Sequence, residues 1–383
     1  MKNLTIRIPA RKVEHRAGAV LVRRPFLTAA ALLCVVSFPA TAAVLPFLPT
    51  PPVTVSTIPS NGDQNPYGVA FITSEFKSGT GPLAPGDILI SNFNNTNNLQ
   101  GTGTTIVSVT PAGVVSTFFT VPNATLGGPG TGLSTALATL REGYIIVGSV
   151  PSSDGTVATS GPGSLLVINN KGELVSTITD PTIDGPWDMT MVDRGTVATA
   201  FISNIYAGTV VRLELAVTAS AVTVTRKTVI ASGYQHRADS TAFAVGPTGL
   251  LFDGVTDTLF VASTEDNAVY AIPGAGVTTR NLIKGKLIYS DADHLHGPLG
   301  LIEAPNGHLL VTNSDVINPD SNQPSEIVEF TMDGKFVKEL SVDPAFGGSF
   351  GLAVALESDP DTAIFAAVDD NTGSLIINNL PPL

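Results

Sequence analysis

The sequence predicts an all-β protein, a six-bladed β-propeller of four-stranded antiparallel blades, and three observations carry that prediction. The 383 residues are rich in Gly and Pro, only 14% are charged, and no long window has helical periodicity. A short anchor recurs six times, in which Pro or a small residue precedes the start of an apolar strand. The final repeat has only three strand-like runs, while an unassigned strand-like run stands before the first anchor.

The first 42 residues differ from the rest. Seven of the 20 Lys and Arg fall there, an apolar run follows from Phe26 through Phe38, and Ala40-Thr41-Ala42 has the small-x-small pattern of a signal-peptidase site. Residues 1–42 are therefore expected to be a signal peptide and residues 43–383 a single propeller domain. The segment Arg23-Arg24-Pro25-Phe26-Leu27 is similar to the twin-arginine export signal, with the general secretory route as the alternative. Either route places the protein in the periplasm or outside the cell. Cys34, the only cysteine, lies inside the apolar run, so residues 43–383 offer no disulfide, thiolate ligand or thiol nucleophile. Without the leader, 13 basic residues face 31 acidic ones, which disfavours nucleic acid and anionic lipid as partners. No later segment is apolar enough to span a membrane.

The unassigned strand, Val53 to Ile58, comes next. The anchors then read Pro66-Tyr67-Gly68-Val69, Leu133-Ser134-Thr135-Ala136, Pro186-Trp187-Asp188-Met189, Pro247-Thr248-Gly249-Leu250, Pro298-Leu299-Gly300-Leu301 and Ser349-Phe350-Gly351-Leu352. Their spacings of 66, 54, 61, 51 and 51 residues, measured from Gly68 to Ser134, Asp188, Gly249, Gly300 and Gly351, are the size of propeller blades. Within each repeat a turn leads to a β-rich run, such as Gly143 to Val147 or Asp257 to Val261. A third strand is clearest at Ser164 to Ile168 and Asn267 to Ile272, and a fourth follows Asn170-Lys171-Gly172-Glu173 and Met332-Asp333-Gly334-Lys335. Pairing the Val53–Ile58 strand into the last blade closes the ring and removes open sheet edges.

These residues resemble the NHL-repeat and gluconolactonase-like six-bladed propellers. The likeness is strongest over His296-Gly297-Pro298-Leu299-Gly300-Leu301 and Pro305-Asn306-Gly307-His308-Leu309-Leu310-Val311-Thr312-Asn313. The resemblance implies the propeller fold and a site in the central channel. Lactonase-like members hold a divalent cation there with a first-blade glutamate and Asn or Asp side chains from later blades. This chain has Asn65-Pro66-Tyr67 at the first-blade position, and Asn92, Asp188, Asn313 and Asp369 remain as channel candidates.

Polar residues in the blade connections are the other candidates. Asp291-Ala292-Asp293-His294-Leu295-His296 precedes the fifth anchor, and His236-Arg237-Ala238-Asp239 precedes the fourth. Asp188, Trp187, His236, Arg237, Asp293, His294, His296 and Asn313 form the candidate ligand set. Asp188, His294, His296 and Asn313 are the possible metal ligands, for one calcium, magnesium or zinc ion. The plainer readings are loop hydrogen bonding for the polar residues and a packed indole for Trp187, the only tryptophan. Gly127 to Gly132 lacks the Lys of a phosphate loop, and Asp369-Asp370-Asn371-Thr372-Gly373 reads as a hairpin turn. No serine elbow or His-Glu-x-x-His motif occurs. The expected function is binding of a small molecule, glycan or protein on the channel face; the alternatives are a metal-dependent hydrolase, lactonase or lyase and a structural envelope scaffold.

Overall fold

A computed structural model describes residues 53–122, 131–319, 327–341, 348–356 and 363–380. The proposed signal peptide and most of the Gly127–Gly132 run lie outside the described residues. Six four-stranded antiparallel sheets follow one another along the chain, as the repeats predict. Blade one comprises β2 (Gln64–Phe71), β3 (Ile88–Asn94), β4 (Thr105–Val109) and β5 (Val115–Thr120). Blade two comprises β6 (Leu133–Leu140) to β9 (Leu174–Ile178), and blade three β10 (Pro186–Asp193) to β13 (Val222–Ser232). Blade four runs from β16 (Pro247–Asp253) through β17 (Thr258–Ser263) and β18 (Ala268–Pro273) to β19 (Lys286–Tyr289). Blade five runs from β20 (Pro298–Glu303) through β21 (Leu309–Asn313) and β22 (Ile327–Phe330) to β23 (Phe336–Leu340). Blade six joins β24 (Ser349–Leu356), β25 (Ala363–Asp369) and β26 (Ser374–Leu380) to β1 (Val53–Ser56).

The closing strand sits where the incomplete last repeat requires it. Val53 pairs with Ile377 and Ser56 with Ser374, so early and late segments complete one sheet. The first strand of each blade lines the channel and touches the first strands of both neighbouring blades. Apolar residues on the facing sheets fill the wedges between blades. Leu165 and Val167 meet Ile202 and Leu213 between blades two and three, and Ile88 and Val107 meet Val368 and Leu375 where blade one closes on blade six. Burying apolar area at about 25 cal/mol per Å² at each wedge is what holds this cysteine-free ring together.

Each anchor is a β-bulge. Pairing of the first two strands slips between Pro66 and Val69, and likewise between Pro186 and Met189, Pro247 and Leu250, Pro298 and Leu301, and Ser349 and Leu352. The bulge brings the inner strands so close that most second positions must be glycine. A Cβ on Gly249, Gly300 or Gly351 would lie 2.2, 2.1 and 2.1 Å from the carbonyl oxygens of Leu299, Phe350 and Tyr67 in the next blade. Blade two departs from the pattern because its slip spans Leu133 to Leu137, one residue more. Its glycine sits on the partner strand instead, where a Cβ on Gly148 would lie 2.3 Å from Ser134 Oγ. Hydroxyls then join blade to blade: Ser91 donates to the Ser134 carbonyl at 2.8 Å, Ser134 to Pro186 at 2.7 Å, Thr248 to Pro298 at 3.0 Å and Thr312 to Phe350 at 2.9 Å.

One feature was not predicted. The connection between blades three and four folds into an extra hairpin, β14 (Arg237–Asp239) and β15 (Phe243–Val245), which belongs to no blade.

Candidate functional site

Alternation along the bulged inner strands sends adjacent anchor residues to opposite ends of the channel. Tyr67, Trp187, Leu299 and Phe350, the first bulge residues, line a cavity of about 360 Å³ at the end where the loops after the second strands gather. Asp188, Gly300 and Gly351, the second bulge residues, line a cavity of about 240 Å³ at the other end.

An aromatic plug separates the two. Tyr67 stacks on Phe93 and on Phe350 with ring centroids 4.6 and 4.4 Å apart, and Trp187 meets Phe93 edge-on at 5.3 Å. Phe243 of the extra hairpin packs over Trp187 at 6.3 Å and against Phe93 at 5.5 Å. Phe243 adopts φ 66°, a left-handed conformation that a bulky side chain rarely takes, and packing of its ring in the plug is what holds it there. The same hairpin contributes Thr241, Ala242, Ala244 and Val245 to the cavity wall. Gln100, from the Asn- and Thr-rich segment of blade one, donates to the Thr241 carbonyl at 2.7 Å and ties the hairpin to the cavity rim.

The loop-end cavity combines this aromatic floor with Asn65, Asp315 and Asp370. Trp187 is 2% exposed, and its indole N–H finds no partner among the described residues. Burial first, and then the charge of Asp370, push the Tyr67 hydroxyl far above its ordinary pKa, with the Asn65 side chain partly opposing them. Tyr67 therefore stays protonated.

The far cavity is walled by aliphatic residues such as Leu137, Leu250, Leu301 and Leu352, and Asp188 is its charged residue. The Leu250 N–H donates to Asp188 Oδ2 at 2.8 Å, bridging blades three and four at a position that is glycine in four of the other blades. Asp188 sits deep in the ring, yet it keeps some surface open to the cavity. Burial pushes its carboxyl up to about 7, against the backbone hydrogen bonds from Leu250 and Met189.

The remaining candidates are spread along the blade connections, which run radially inward from each outermost strand to the next innermost one. His294 lies at the periphery, its ring 3.7 Å from that of Phe336 on the outermost strand of blade five and its Nδ1 2.7 Å from Asp291 Oδ2. Asp293 is exposed beside it, with its N–H on Asp291 Oδ1. His296 is buried, its Nδ1 on the Asn318 carbonyl. Asn313 clamps this connection: its amide donates to the His294 carbonyl at 2.9 Å and accepts from the His296 N–H at 3.0 Å. Asn204 plays the same part in blade three, donating to the Thr182 carbonyl and accepting from the Asp184 N–H. Asn92 in blade one makes only the donating half of this clamp, from its amide to the Thr57 carbonyl at 3.2 Å and to the Thr105 hydroxyl. His236 is exposed near Gly208, and Arg237 pairs with Glu265 and Asp239 on the surface. Asp369 caps the turn at Asn371 and Thr372, in keeping with a hairpin.

The four residues offered as cation ligands, Asp188, His294, His296 and Asn313, do not line one cavity: Asp188 borders the far cavity, and His294 packs on Phe336. Among the described residues no group of three His, Cys, Asp or Glu is placed to hold a metal ion. The physical reason is radial: Asp188 faces the far cavity, His294 the blade edge, and Asn313 spends both ends of its amide on backbone. The cavity residues that sequence reasoning missed include Tyr67, Phe350, Asn65, Asp315 and Asp370, with Phe93 and Phe243 packed against the rings that line it. A signal for two of them was present, since three of the six anchors carry an aromatic residue at the same position: Tyr67, Trp187 and Phe350.

No family model and no curated protein matches this sequence. Solved structures do. A luciferin-regenerating enzyme aligns over 87% of this chain and 96% of its own at 12% identity and a TM-score of 0.50. A gluconolactonase from Xanthomonas campestris aligns over 88% of this chain and 97% of its own at 13% identity, also with a TM-score of 0.50. At such identities the likeness is one of fold, and the chain has the six-bladed propeller architecture of the gluconolactonase-like proteins, as its anchors imply.

Proposed function

We propose that this protein is an exported propeller of the bacterial envelope, periplasmic or secreted, that binds a small organic molecule in the loop-end cavity of its channel. The observation that carries the reading is the cavity itself: about 360 Å³, floored by Tyr67, Trp187 and Phe350 and rimmed by a few polar side chains. That volume and that mixture of ring surface with sparse polar groups are what small-molecule sites use. A glycan or protein partner would need a broader surface than this enclosed cavity provides. The scaffold reading requires a channel blocked by apolar residues together with a large exposed apolar patch elsewhere; the aromatic plug meets the first condition, yet it leaves a cavity with polar side chains at the loop end. The metal-dependent hydrolase reading has less support, since Asp188 borders the far cavity while His294 packs on Phe336 at the blade edge. Export is supported by the basic leader, its apolar run and Ala40-Thr41-Ala42.

Trp187 is the only tryptophan, so its emission reports directly on the cavity. Screening mature protein against small organic compounds of differing charge, by thermal shift followed by fluorescence titration, tests the proposal. The expected result is at least one compound that raises the melting temperature and saturates the Trp187 signal. Stabilising compounds that leave Trp187 emission and affinity for a Trp187→Phe variant unchanged would place binding elsewhere. Amino-terminal sequencing of the protein from the periplasmic fraction is expected to start at Ala43; recovery only in the cytoplasm would overturn the export assignment.

A further inference from the structure

Resting on the reading above, we infer that the β14–β15 hairpin is a hinged gate of the loop-end cavity, latched at its tip by Gln100, and that a ligand reaches the Trp187 floor when the hairpin lifts. Tyr67 is stacked on both faces, and Tyr67 and Trp187 are each 2% exposed, so the floor is covered as it stands and access has to come from a wall that moves. The hairpin is the wall with least to hold it. It supplies Thr241, Ala242, Ala244 and Val245 to the lining, yet its strands belong to no blade and pair with each other alone, Arg237 with Val245, Ala238 with Ala244 and Asp239 with Phe243.

The chain is fixed where the hairpin leaves the ring and where it rejoins it. The Gln235 N–H donates to Asp266 Oδ2 at 3.1 Å, and the Gly246 carbonyl accepts from the Thr264 N–H at 2.8 Å. Between those two points, two polar bonds join the hairpin to the rest of the described residues: Arg237 Nε donates to Glu265 Oε2 at 2.9 Å on the surface, and Gln100 Nε2 to the Thr241 carbonyl at 2.7 Å. Asp239 spends its carboxylate within the hairpin, on Arg237 and on the Thr241 and Ala242 N–H groups, so the tip moves as one piece. The apolar hold is the Phe243 ring against Phe93 and Trp187, with Ala244 beside it. Two features oppose that hold. Phe243 keeps its left-handed backbone only while its ring is seated, and the buried Trp187 indole N–H beside that ring has no partner among the described residues. Lifting the hairpin relaxes the first and opens the second to water or to a ligand.

The test uses mature protein and needs no ligand. Hydrogen exchange read by mass spectrometry compares the amides of residues 237–245 with those of β16 and β17, and acrylamide quenching of Trp187 emission reads access to the floor. The wild-type hairpin is expected to exchange by local opening, at least about 100-fold faster than β16 and β17, which open with the ring. Gln100→Ala is expected to raise hairpin exchange and Trp187 quenching together by about fivefold, the ratio that one net hydrogen bond supplies. Arg237→Ala loosens the hairpin from its outer side without lining the cavity, and is expected to raise both by about twofold. Exchange in β16 and β17 is expected to stay unchanged in both variants, a pattern that general loss of stability would not produce. Hairpin amides that exchange no faster than β16 and β17 would overturn the inference, since the hairpin would then open only with the ring. Faster hairpin exchange in the variants without a matching rise in Trp187 quenching would overturn it as well, because a hairpin that moves would then not guard the floor. Neither result bears on the binding reading, which fails separately if no compound saturates the Trp187 signal.

Discussion

The two ends of the channel are built by neighbouring residues of the same six bulges, yet they differ in kind. The loop end receives Tyr67, Trp187 and Phe350 and becomes an aromatic-floored cavity with acidic groups at its rim. The far end receives Gly300, Gly351 and Asp188 and becomes a smaller, aliphatic cavity with one acid. The difference follows from how closely the strands approach. The second bulge position lies against the neighbouring blade, so it takes glycine, or at Ser134 and Asp188 a side chain that bonds to that neighbour. The first position points away from the contact and is free to carry a large ring. A close-packed ring can therefore vary its chemistry at one end without loosening its centre.

The largest expected effect tests whether the plug supports the ring as well as flooring the cavity. Trp187→Ala removes a 2% exposed side chain that touches Tyr67, Phe93 and Phe243 and should destabilise the protein by about 3–5 kcal/mol in denaturant unfolding. A loss below about 1 kcal/mol would mean that the plug is loosely packed and the two ends are not separated by it.

Asp188 tests the other end. Its carboxyl is pushed up to about 7 from an ordinary value of 3.8, so the folded chain holds this proton more tightly than the unfolded chain. That contribution to stability is fully present below pH 3.8, is lost as pH rises to about 7, and stays lost above. Asp188→Asn does not titrate. Wild-type stability relative to the variant should therefore fall by on the order of 1–3 kcal/mol between acidic and mildly alkaline pH, read from urea midpoints. A constant difference across that range would place Asp188 in a wetter setting than the far cavity provides.

Asn313→Ala probes a residue that belongs to neither end. Losing its bonds to the His294 carbonyl and the His296 N–H should cost about 1–2 kcal/mol, and Asn204→Ala should cost about the same. Neither change should alter ligand affinity in the loop-end cavity; a selective loss for Asn313→Ala would return it to the site. The smallest effect belongs to Gln100→Ala. Removing one rim hydrogen bond to the extra hairpin should cost no more than about 1 kcal/mol while speeding ligand exchange in stopped-flow fluorescence.

Much of the fold was legible because blade stacking repeats one local solution. Each anchor combined a strand start with a residue small enough for the bulge, and each turn was marked by Gly, Asn or Asp. The missing fourth strand of blade six pointed to Val53–Ile58 for the same reason, and Val53–Ser56 is the part that pairs. The site was legible only at Trp187. The histidine-rich connections drew attention because His and Asp are chemically versatile, but those connections cross the blade face from rim to centre, so neighbours in sequence end up at different radii. His294 packs on Phe336 at the edge, whereas Asn313 is consumed in holding the loop.

By itself the sequence determined the number of blades, their strand order and the closure of the ring, because these depend on local spacing and on strand pairing within each repeat. Only the tertiary structure decided that Tyr67, Trp187 and Phe350 share one floor, that an extra hairpin brings Phe243 over it, and that Asp188 faces the opposite end. Those placements arise from six strands converging on one axis, where residues from 65 to 370 become neighbours and a one-residue step along the chain selects the end of the channel.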